Sequence, residues 1–443
     1  MVISTTPMFH AMGLWFVALE HSFGWTRTQL SLAFAFTRVE GGILGPVEGY
    51  LTDRLGTKRL VIIGMTIMGF GWLLFSLVQD TKDVPILRDM PFHVLPDFTQ
   101  AIIPPLTFYA VYMLIALGQG LGSWLPLMAM LNNWFNRRRA MAMGLSNSTS
   151  RVGTLIMIPA IAWAIDPEFE RLGWRLTVVI IGIAILVVNL PLSLLIRNRP
   201  EDYGLLPDGD KPEEPASEPS DSVSSDDRPA ETVSRRAPEQ IDFTWQQAVR
   251  TPAFWLISVG HGCTSMVLIA MMAHLAPMMV DRGYSLQTAS FVITGYTVVS
   301  MVFQLIGGYF GDRVPKRLAL FVFTWIQASG VFLLTLGPAT LPVAYGFALL
   351  FGAGFGGRNP LTVSIRGEYF GRKSFGVIMG ISQVPMNILL LAAPVFAGVV
   401  YDVTGEYTIA FTVLASLNMV GGVLFLLATR PRLTQPARAV ARA

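Results

Sequence analysis

Apolar residues in this chain come in blocks of about twenty, the length of helix that crosses roughly 30 Å of hydrocarbon. The blocks run over residues 1–19, 28–51, 60–79, 106–134, 140–165, 175–196, 252–280, 286–311, 318–337, 341–366, 374–400 and 407–429. They predict twelve transmembrane helices. A membrane β-barrel is excluded, because its strands need only about ten residues and alternate apolar with polar. Residues 199–250 interrupt the pattern. They are rich in Pro, Glu, Asp and Ser and almost free of large apolar residues from Lys211 to Glu239. Such a stretch cannot bury a core, and we expect a disordered linker on the cytoplasmic side. It divides the chain into a six-helix bundle over 1–198 and a second over 251–430, followed by a tail over 431–443. The expected fold is all-α, with twelve transmembrane helices in two pseudo-symmetric bundles.

Composition agrees and narrows the class. The 443 residues are 52% hydrophobic and 14% charged, where soluble domains carry about 25% charged residues. A soluble enzyme and a nucleic-acid binder are thereby excluded. The net charge of +3 is too small to imply a polyanionic partner. The single cysteine, Cys263, excludes an intrachain disulfide framework and a cysteine-based metal site. No cleavable signal peptide is visible, because the first apolar block lacks a positive flank and a cleavage pattern.

Charge placement orients the chain. One set of interhelical loops carries Arg54, Lys58 and Arg59, then Arg137, Arg138 and Arg139, then Arg313, Lys316 and Arg317, then Arg372 and Lys373, with Arg430 and Arg432 in the tail. The alternating set is acidic: Asp80, Asp83, Asp89 and Asp97, then Asp166, Glu168 and Glu170, then Asp402 and Glu406. Lys/Arg-rich loops stay in the cytoplasm, so we expect a multi-pass protein of the cytoplasmic (inner) membrane with both termini inside.

The two halves repeat. An offset of 259 residues matches Gly24 to Gly283, Ser31 to Ser290, Gly49 to Gly308, Tyr50 to Tyr309, Asp53 to Asp312 and Arg54 to Arg313. An offset of 234 matches Gly118, Gly120, Gly122 and Pro126 to Gly352, Gly354, Gly356 and Pro360. An offset of 236 matches Gly144 and Ser146 to Gly380 and Ser382. Helices 1–2, 4 and 5 thus correspond to helices 7–8, 10 and 11. Repeated bundles of this kind form transporters whose substrate binds near the midplane between the halves. In the same alignment Met1 falls opposite Gly260, although helix 7 starts near Pro252. Helix 1 is therefore expected to be truncated by about eight residues through a mis-started gene model. Upstream in-frame codons for one or two more apolar turns would support this.

Specific motifs carry a family resemblance. Gly49-Tyr-Leu-Thr-Asp53-Arg54-Leu-Gly56-Thr-Lys58-Arg59 resembles the loop 2–3 motif of the major facilitator superfamily, with a partial copy at Gly308-Tyr-Phe-Gly-Asp312-Arg313-Val-Pro-Lys316-Arg317. Four further segments resemble bacterial members of the monocarboxylate porter and oxalate/formate antiporter group: Phe23-Gly-Trp-Thr-Arg27, Arg199-Pro-Glu-Asp-Tyr-Gly-Leu-Leu-Pro-Asp208, Phe370-Gly-Arg-Lys-Ser-Phe-Gly376 and Tyr401-Asp-Val-Thr-Gly-Glu-Tyr407. The resemblance implies a short carboxylate as substrate. It also implies a gate role for Gly49, Asp53, Arg54, Gly56, Lys58, Arg59, Asp312 and Arg313, with Asp53 bracing the N-terminus of helix 11 near Ser374, where the helix dipole favours a carboxylate. The chain departs from characterised carboxylate porters in having no Lys or Arg in helix 8 and no lysine in helices 1 and 11.

Charges within the spans are the candidate chemistry, because each costs about 2.5–3.5 kcal/mol near the bilayer centre. Arg38 lies about 15 Å into helix 2, Arg151 about 16 Å into helix 5, and Arg358 about 25 Å into helix 10. A guanidinium facing a wet cavity binds a carboxylate bidentately; the alternative is a structural pairing between packed helices. Glu40, about 200° around the helix from Arg38, is the candidate proton carrier or else an ion-pair partner of Arg151 or another Arg. His10 and His261 fall near the midplane of helices 1 and 7, where a histidine carries a proton, donates to substrate, or merely packs. Asn147 and Arg151 align with Gln383 and Asn387, which suggests a shared polar cavity or hydrogen-bonded helix packing. His274 reads as interfacial.

Gly352-Ala-Gly354-Phe-Gly-Gly357 spells a dinucleotide fingerprint inside a membrane helix, where no strand precedes it. Close helix packing explains those glycines instead. No HExxH, P-loop or GxSxG is present, so neither enzyme chemistry nor a cofactor is expected. The sequence reads as a monomeric secondary transporter for a small organic anion, a mono- or dicarboxylate, working by alternating access in the lipid bilayer with proton coupling or exchange. The alternatives are an efflux transporter for amphipathic compounds and a non-transporting sensor of the same fold.

Overall fold

A computed structural model describes residues 2–84, 103–135, 139–169, 171–205, 243–311, 313–371 and 375–431. The outer loop segment 85–102 and residues 206–242 of the expected linker lie outside these. Twelve helical spans are found among the described residues. In the first half they are α1 (Val2–Thr5, Thr6–His10 and Met12–Phe23), α2 (Arg27–Leu55), α3 (Thr57–Phe75), α4 (Leu106–Gln119, Gly120–Trp124 and Leu125–Trp134), α5 (Arg139–Ile165) and α6 (Gly173–Leu195). In the second half they are α7 (Pro252–Asp281), α8 (Leu286–Gly311), α9 (Lys316–Leu336), α10 (Leu341–Phe370), α11 (Phe375–Thr404) and α12 (Thr408–Leu427).

By length and composition alone, eight described helices qualify as membrane spans, or nine with the bent α1. The three left over are α2, α5 and α10. These are the helices that carry Arg38, Glu40 and Glu48, Arg151, and Arg358 and Arg366 in their interiors. The polar cost of the fold is concentrated there, which is where function is expected.

Local chemistry sets the helix ends. Thr26 accepts from the Gln29 N–H while the Gln29 side chain accepts from the Thr26 N–H, a capping box that starts α2. Thr251 caps α7, with Pro252 at its first position. Gly24, at φ 68, ends α1 in the left-handed region. A second capping box, Thr244 with Gln247, starts a short helix Trp245–Val249. Phe243 just before it is 2% exposed, and its N–H donates to Phe370 O. Residues 243–250 therefore belong to the second bundle rather than to the linker expected over 199–250, because Phe243 and Ala248 bury apolar surface against α10 and α7.

α1 is bent by 53° at Ala11. Pro7 sits inside a π-helical turn in which the Ala11 N–H reaches back to Thr6 O, and the Pro7 carbonyl accepts from the Trp15 indole N–H at 2.8 Å. The halves meet through α1 on α7, α2 on α11 and α5 on α8. Under the sequence repeat the last two contacts are the same contact made twice.

The glycines of the false fingerprint let α10 wedge between α8 and α9. A Cβ on Gly352 would lie 2.6 Å from Tyr296 O on α8, and one on Gly354 would lie 2.5 Å from Phe323 O on α9. The Gly354→Val variant is expected to lose most of its monodisperse yield on size-exclusion chromatography, since overpacking costs about 1–3 kcal/mol even where neighbours can yield, and here the neighbour is backbone.

Candidate functional site

Between the halves lies a cavity of about 300 Å³, lined from α1 by Thr5 and His10, from α5 by Arg151, and from the second half by α7, α8 and α10. Helical spacing explains its walls. On α8, Tyr296, Ser300 and Gln304 recur every four residues and form one stripe; Leu268 and Met272 on α7, and Phe355 and Asn359 on α10, do the same. Among these described lining residues Arg151 alone carries a permanent charge. It donates through Nη1 to Gln304 Oε1 at 2.8 Å, across the boundary between halves. Its guanidinium stands 5.9 Å from the centre of the Phe355 ring. The His10 Nδ1 is buried without a hydrogen-bond partner among the described residues. A cation, an imidazole and several amide and hydroxyl groups thus stand against Leu268, Met272 and Phe355, the mixture of apolar wall and few polar groups found in small-molecule sites.

The acidic end of the molecule is sealed. Asp402, near the end of α11, accepts from the backbone N–H of Arg27 at 3.0 Å and of Thr28 at 2.9 Å, so a carboxylate of one half caps a helix of the other. Arg27, 3% exposed, reaches Glu20 at 2.6 Å, Asp281 at 3.2 Å and the Tyr407 hydroxyl at 3.1 Å. Close behind are Ser31, His274 and Tyr407. His274 is fully buried between the halves: Nδ1 lies 2.9 Å from Tyr407 Oη, and Nε2 lies 2.9 Å from Pro394 O and 3.0 Å from Ser31 Oγ. Because Pro394 O can only accept, the proton sits on Nε2, and Nδ1 accepts from Tyr407.

Two bundles of six helices that repeat in sequence and meet around a polar midplane cavity match one family. Its pattern, described as Major Facilitator Superfamily, fits residues 1–292 and again 260–442. The chain belongs to the major facilitator superfamily. It is similar to monocarboxylate transporter 13 of Bos taurus, 26% identical over 389 residues covering 86% of this chain and 76% of that one. It is also similar to monocarboxylate transporter 12 of Mus musculus, 21% identical over 422 residues, covering 92% and 79%. An agnestins efflux protein of Paecilomyces divaricatus is 22% identical over 390 residues, covering 87% and 74%. The fold matches a bacterial homolog to the human lysosomal transporter Spinster with a TM-score of 0.61, at 15% identity over 96% of this chain and 92% of that one. It matches a D-xylose-proton symporter with a TM-score of 0.63, at 13% identity over the same shares. Its relatives are membrane transporters, and this superfamily member is not an enzyme.

The remaining candidates of this superfamily member divide sharply. Arg358 is 2% exposed and does not line the cavity. Its Nε donates to Gln327 Oε1, Nη1 to Thr264 Oγ1 and Nη2 to Thr264 O, each at 2.9 Å. His261 also stands away from the cavity lining, with its Nδ1 3.3 Å from an Arg366 nitrogen. Arg366 is 1% exposed and donates to Ser382 Oγ at 2.8 Å. Gln383 is half-buried and Asn387 exposed on α11, and neither lines the cavity. Glu40 is buried and its Oε1 has no partner among the described residues, and no ion pair between it and Arg151 is found there. The side chains of Arg38, Asp53 and Asn147, and residues Asp312 and Ser374, lie outside what is described.

At the gate motif, Gly49 continues α2 and Gly56 turns the chain at φ 77. Asn198 packs against that turn and accepts from the Lys58 N–H at 2.9 Å. Arg54, Arg59 and Arg313 are exposed; Arg54 donates to Tyr50 Oη at 3.1 Å, and Arg313 covers the Tyr309 ring at 3.5 Å. Sequence reasoning missed the lining residues Tyr296, Gln304, Phe355 and Asn359. It also missed Arg366, because it ended that helix there, and the Arg27 cluster, whose one signal is a cation in the first turn of a helix.

Proposed function

We propose that this chain is a secondary transporter that carries a small organic anion bearing one carboxylate across the cytoplasmic membrane by alternating access. The observation that carries the reading is the cavity between the halves with Arg151 exposed to it. A single guanidinium among the described lining residues suits a monocarboxylate better than a dicarboxylate, since the second carboxylate would be desolvated without a counter-charge. The names of the two monocarboxylate transporter relatives agree. Arg151 grips the carboxylate, while Gln304, His10 and Asn359 are placed to accept or donate around it. Phe355, Leu268 and Met272 take the apolar body. Glu40 is the proton carrier if the drive is symport; exchange of one anion for another needs none. With the termini in the cytoplasm the acidic end faces outward, so the sealed end belongs to a state closed to the outside. The gate motif from Gly49 to Arg59, with Asp312 and Arg313, closes the opposite end in the other state.

A second reading, efflux of amphipathic compounds, draws on the apolar wall of the cavity and on the Paecilomyces efflux relative. Proteoliposomes separate the two. Labelled lactate, benzoate and succinate are offered with and without a proton gradient, beside a neutral amphipathic dye. Saturable uptake of lactate or benzoate at least tenfold above empty vesicles, with succinate excluded, is the expected result. Movement of the dye alone would replace the anion reading with the efflux one.

A further inference from the structure

We infer that Arg27 and Asp402 form the lock that holds the acidic end of this transporter shut, and that the lock sits on one flank only. The inference rests on alternating access and goes beyond the choice of substrate. The two residues work in opposite directions across the boundary. Asp402 of the second half takes the first two N–H groups of α2, at 3.0 and 2.9 Å. Arg27 of the first half sends its side chain back to Asp281 and Tyr407 of the second. The guanidinium also lies 4.8 Å from the centre of the Tyr401 ring, three helices of the second half thus meeting one buried cation. Gly398 permits the approach: a Cβ there would lie 2.8 Å from the Arg27 carbonyl oxygen and the Thr28 nitrogen. A cation in the first turn of a helix is opposed by the helix dipole. Glu20 of its own half offsets part of that cost at 2.6 Å, and Asp281 and Tyr407, which it meets only while the halves are closed, supply the rest.

The sequence repeat provides a built-in comparison. On the mirror flank, where α5 meets α8, Asp166 stands at the position of Asp402 and Leu286 at that of Arg27. Asp166 is buried where Asp402 is exposed, yet its Oδ1 accepts from Glu168 in its own loop, and its Oδ2 has no partner among the described residues. Leucine cannot reach across. At the acidic end one flank is therefore tied by charge while the other shows no such tie among the described residues, its Arg151–Gln304 bond lying deeper at the cavity, so parting the acidic end requires breaking the Arg27 cluster and pivoting about the α5–α8 contact.

The test reads gate opening without any substrate. In a Cys263→Ser background, Ala276→Cys places the sole thiol at a fully buried position on α7 that packs on Gly13 of α1. Its labelling by a hydrophilic maleimide is followed in nanodiscs. Adding Arg27→Gln is expected to speed labelling at least tenfold, and Asp402→Asn to speed it by a smaller factor. The charge exchange Arg27→Asp with Asp281→Arg should slow it again. Asp166→Asn should leave it unchanged. Benzoate affinity at the central cavity, read in the same samples, should stay within threefold. Equal labelling rates with and without Arg27→Gln would overturn the lock, as would an equal acceleration by Asp166→Asn. Should Arg27→Gln fail to fold, Asp281→Asn and Tyr407→Phe cut the same ties and carry the test. Loss of benzoate affinity in Arg27→Gln as large as in Arg151→Gln would place Arg27 in the substrate site instead. Because labelling needs no transported anion, a wrong substrate class leaves this result readable.

Discussion

Replacing Arg151 by glutamine is expected to weaken benzoate or lactate binding by about 10- to 100-fold, because a charge-assisted hydrogen bond contributes roughly 1.5–3 kcal/mol and each 1.4 kcal/mol is tenfold in affinity. Folding should barely change. Arg151 is only half-buried, and among the described residues its one side-chain hydrogen bond is to Gln304. A glutamine at 151 can still donate to the Gln304 amide and still rest against Phe355. What disappears is the charge facing the cavity, and with it the pairing that a carboxylate would make there. Arg151→Lys separates charge from shape, since lysine keeps the charge but lacks the planar fork for bidentate contact; we expect it to lie between the two. Tryptophan fluorescence titration gives the affinity and thermal unfolding in detergent gives the stability. Affinity within twofold of the parent in Arg151→Gln would remove the anion reading of the cavity.

The spans and the repeat were legible because both are written in sequence as period and offset. A membrane helix needs its twenty apolar residues wherever it packs, and glycines recur where one bundle copies the other. Depth was legible too: Arg151 and Arg358 were both recognised as costly charges well inside helices. Azimuth was not. Arg358 neighbours Asn359, which lines the cavity, but adjacent residues point about 100° apart on a helix. That rotation turns Arg358 towards Gln327 on α9 and Thr264 on α7. No single-sequence pattern fixes which face of a helix buried all round meets water, and α10 is polar in more than one direction. The Arg27 cluster was illegible for a different reason. Its partners Asp281, Asp402 and Tyr407 lie 254, 375 and 380 residues away in the chain, so nothing local announces them. The segments from Phe23 to Arg27 and from Tyr401 to Tyr407 stood out only as family likeness, and the fold shows them to be two sides of one contact.

Arg358 should respond in the opposite way to Arg151. Arg358→Met keeps most of the side-chain volume but removes every donor, leaving Gln327 Oε1, Thr264 Oγ1 and Thr264 O without the bonds they now accept at 2.9 Å. A buried acceptor left unpaired costs about 1–3 kcal/mol, and three share this loss, so a destabilisation of about 3 kcal/mol or more is expected. Arg358→Ala adds the cost of an unfilled cavity and should be worse. Removing the buried charge works against this, because a guanidinium in a dry interior is itself unfavourable and apolar replacement of buried charges is often tolerated. The balance is decided by geometry. No carboxylate is bonded to Arg358 among the described residues, and each of its three donating nitrogens already has a neutral oxygen, so it acts as a rivet between α7, α9 and α10. Thermal unfolding of Arg358→Met should therefore show a marked loss of stability, while the fraction that remains folded at low temperature binds benzoate with the parent affinity. The reverse pattern, parental stability with binding lost, would show that this arginine turns into the cavity during the cycle and would return it to the substrate site.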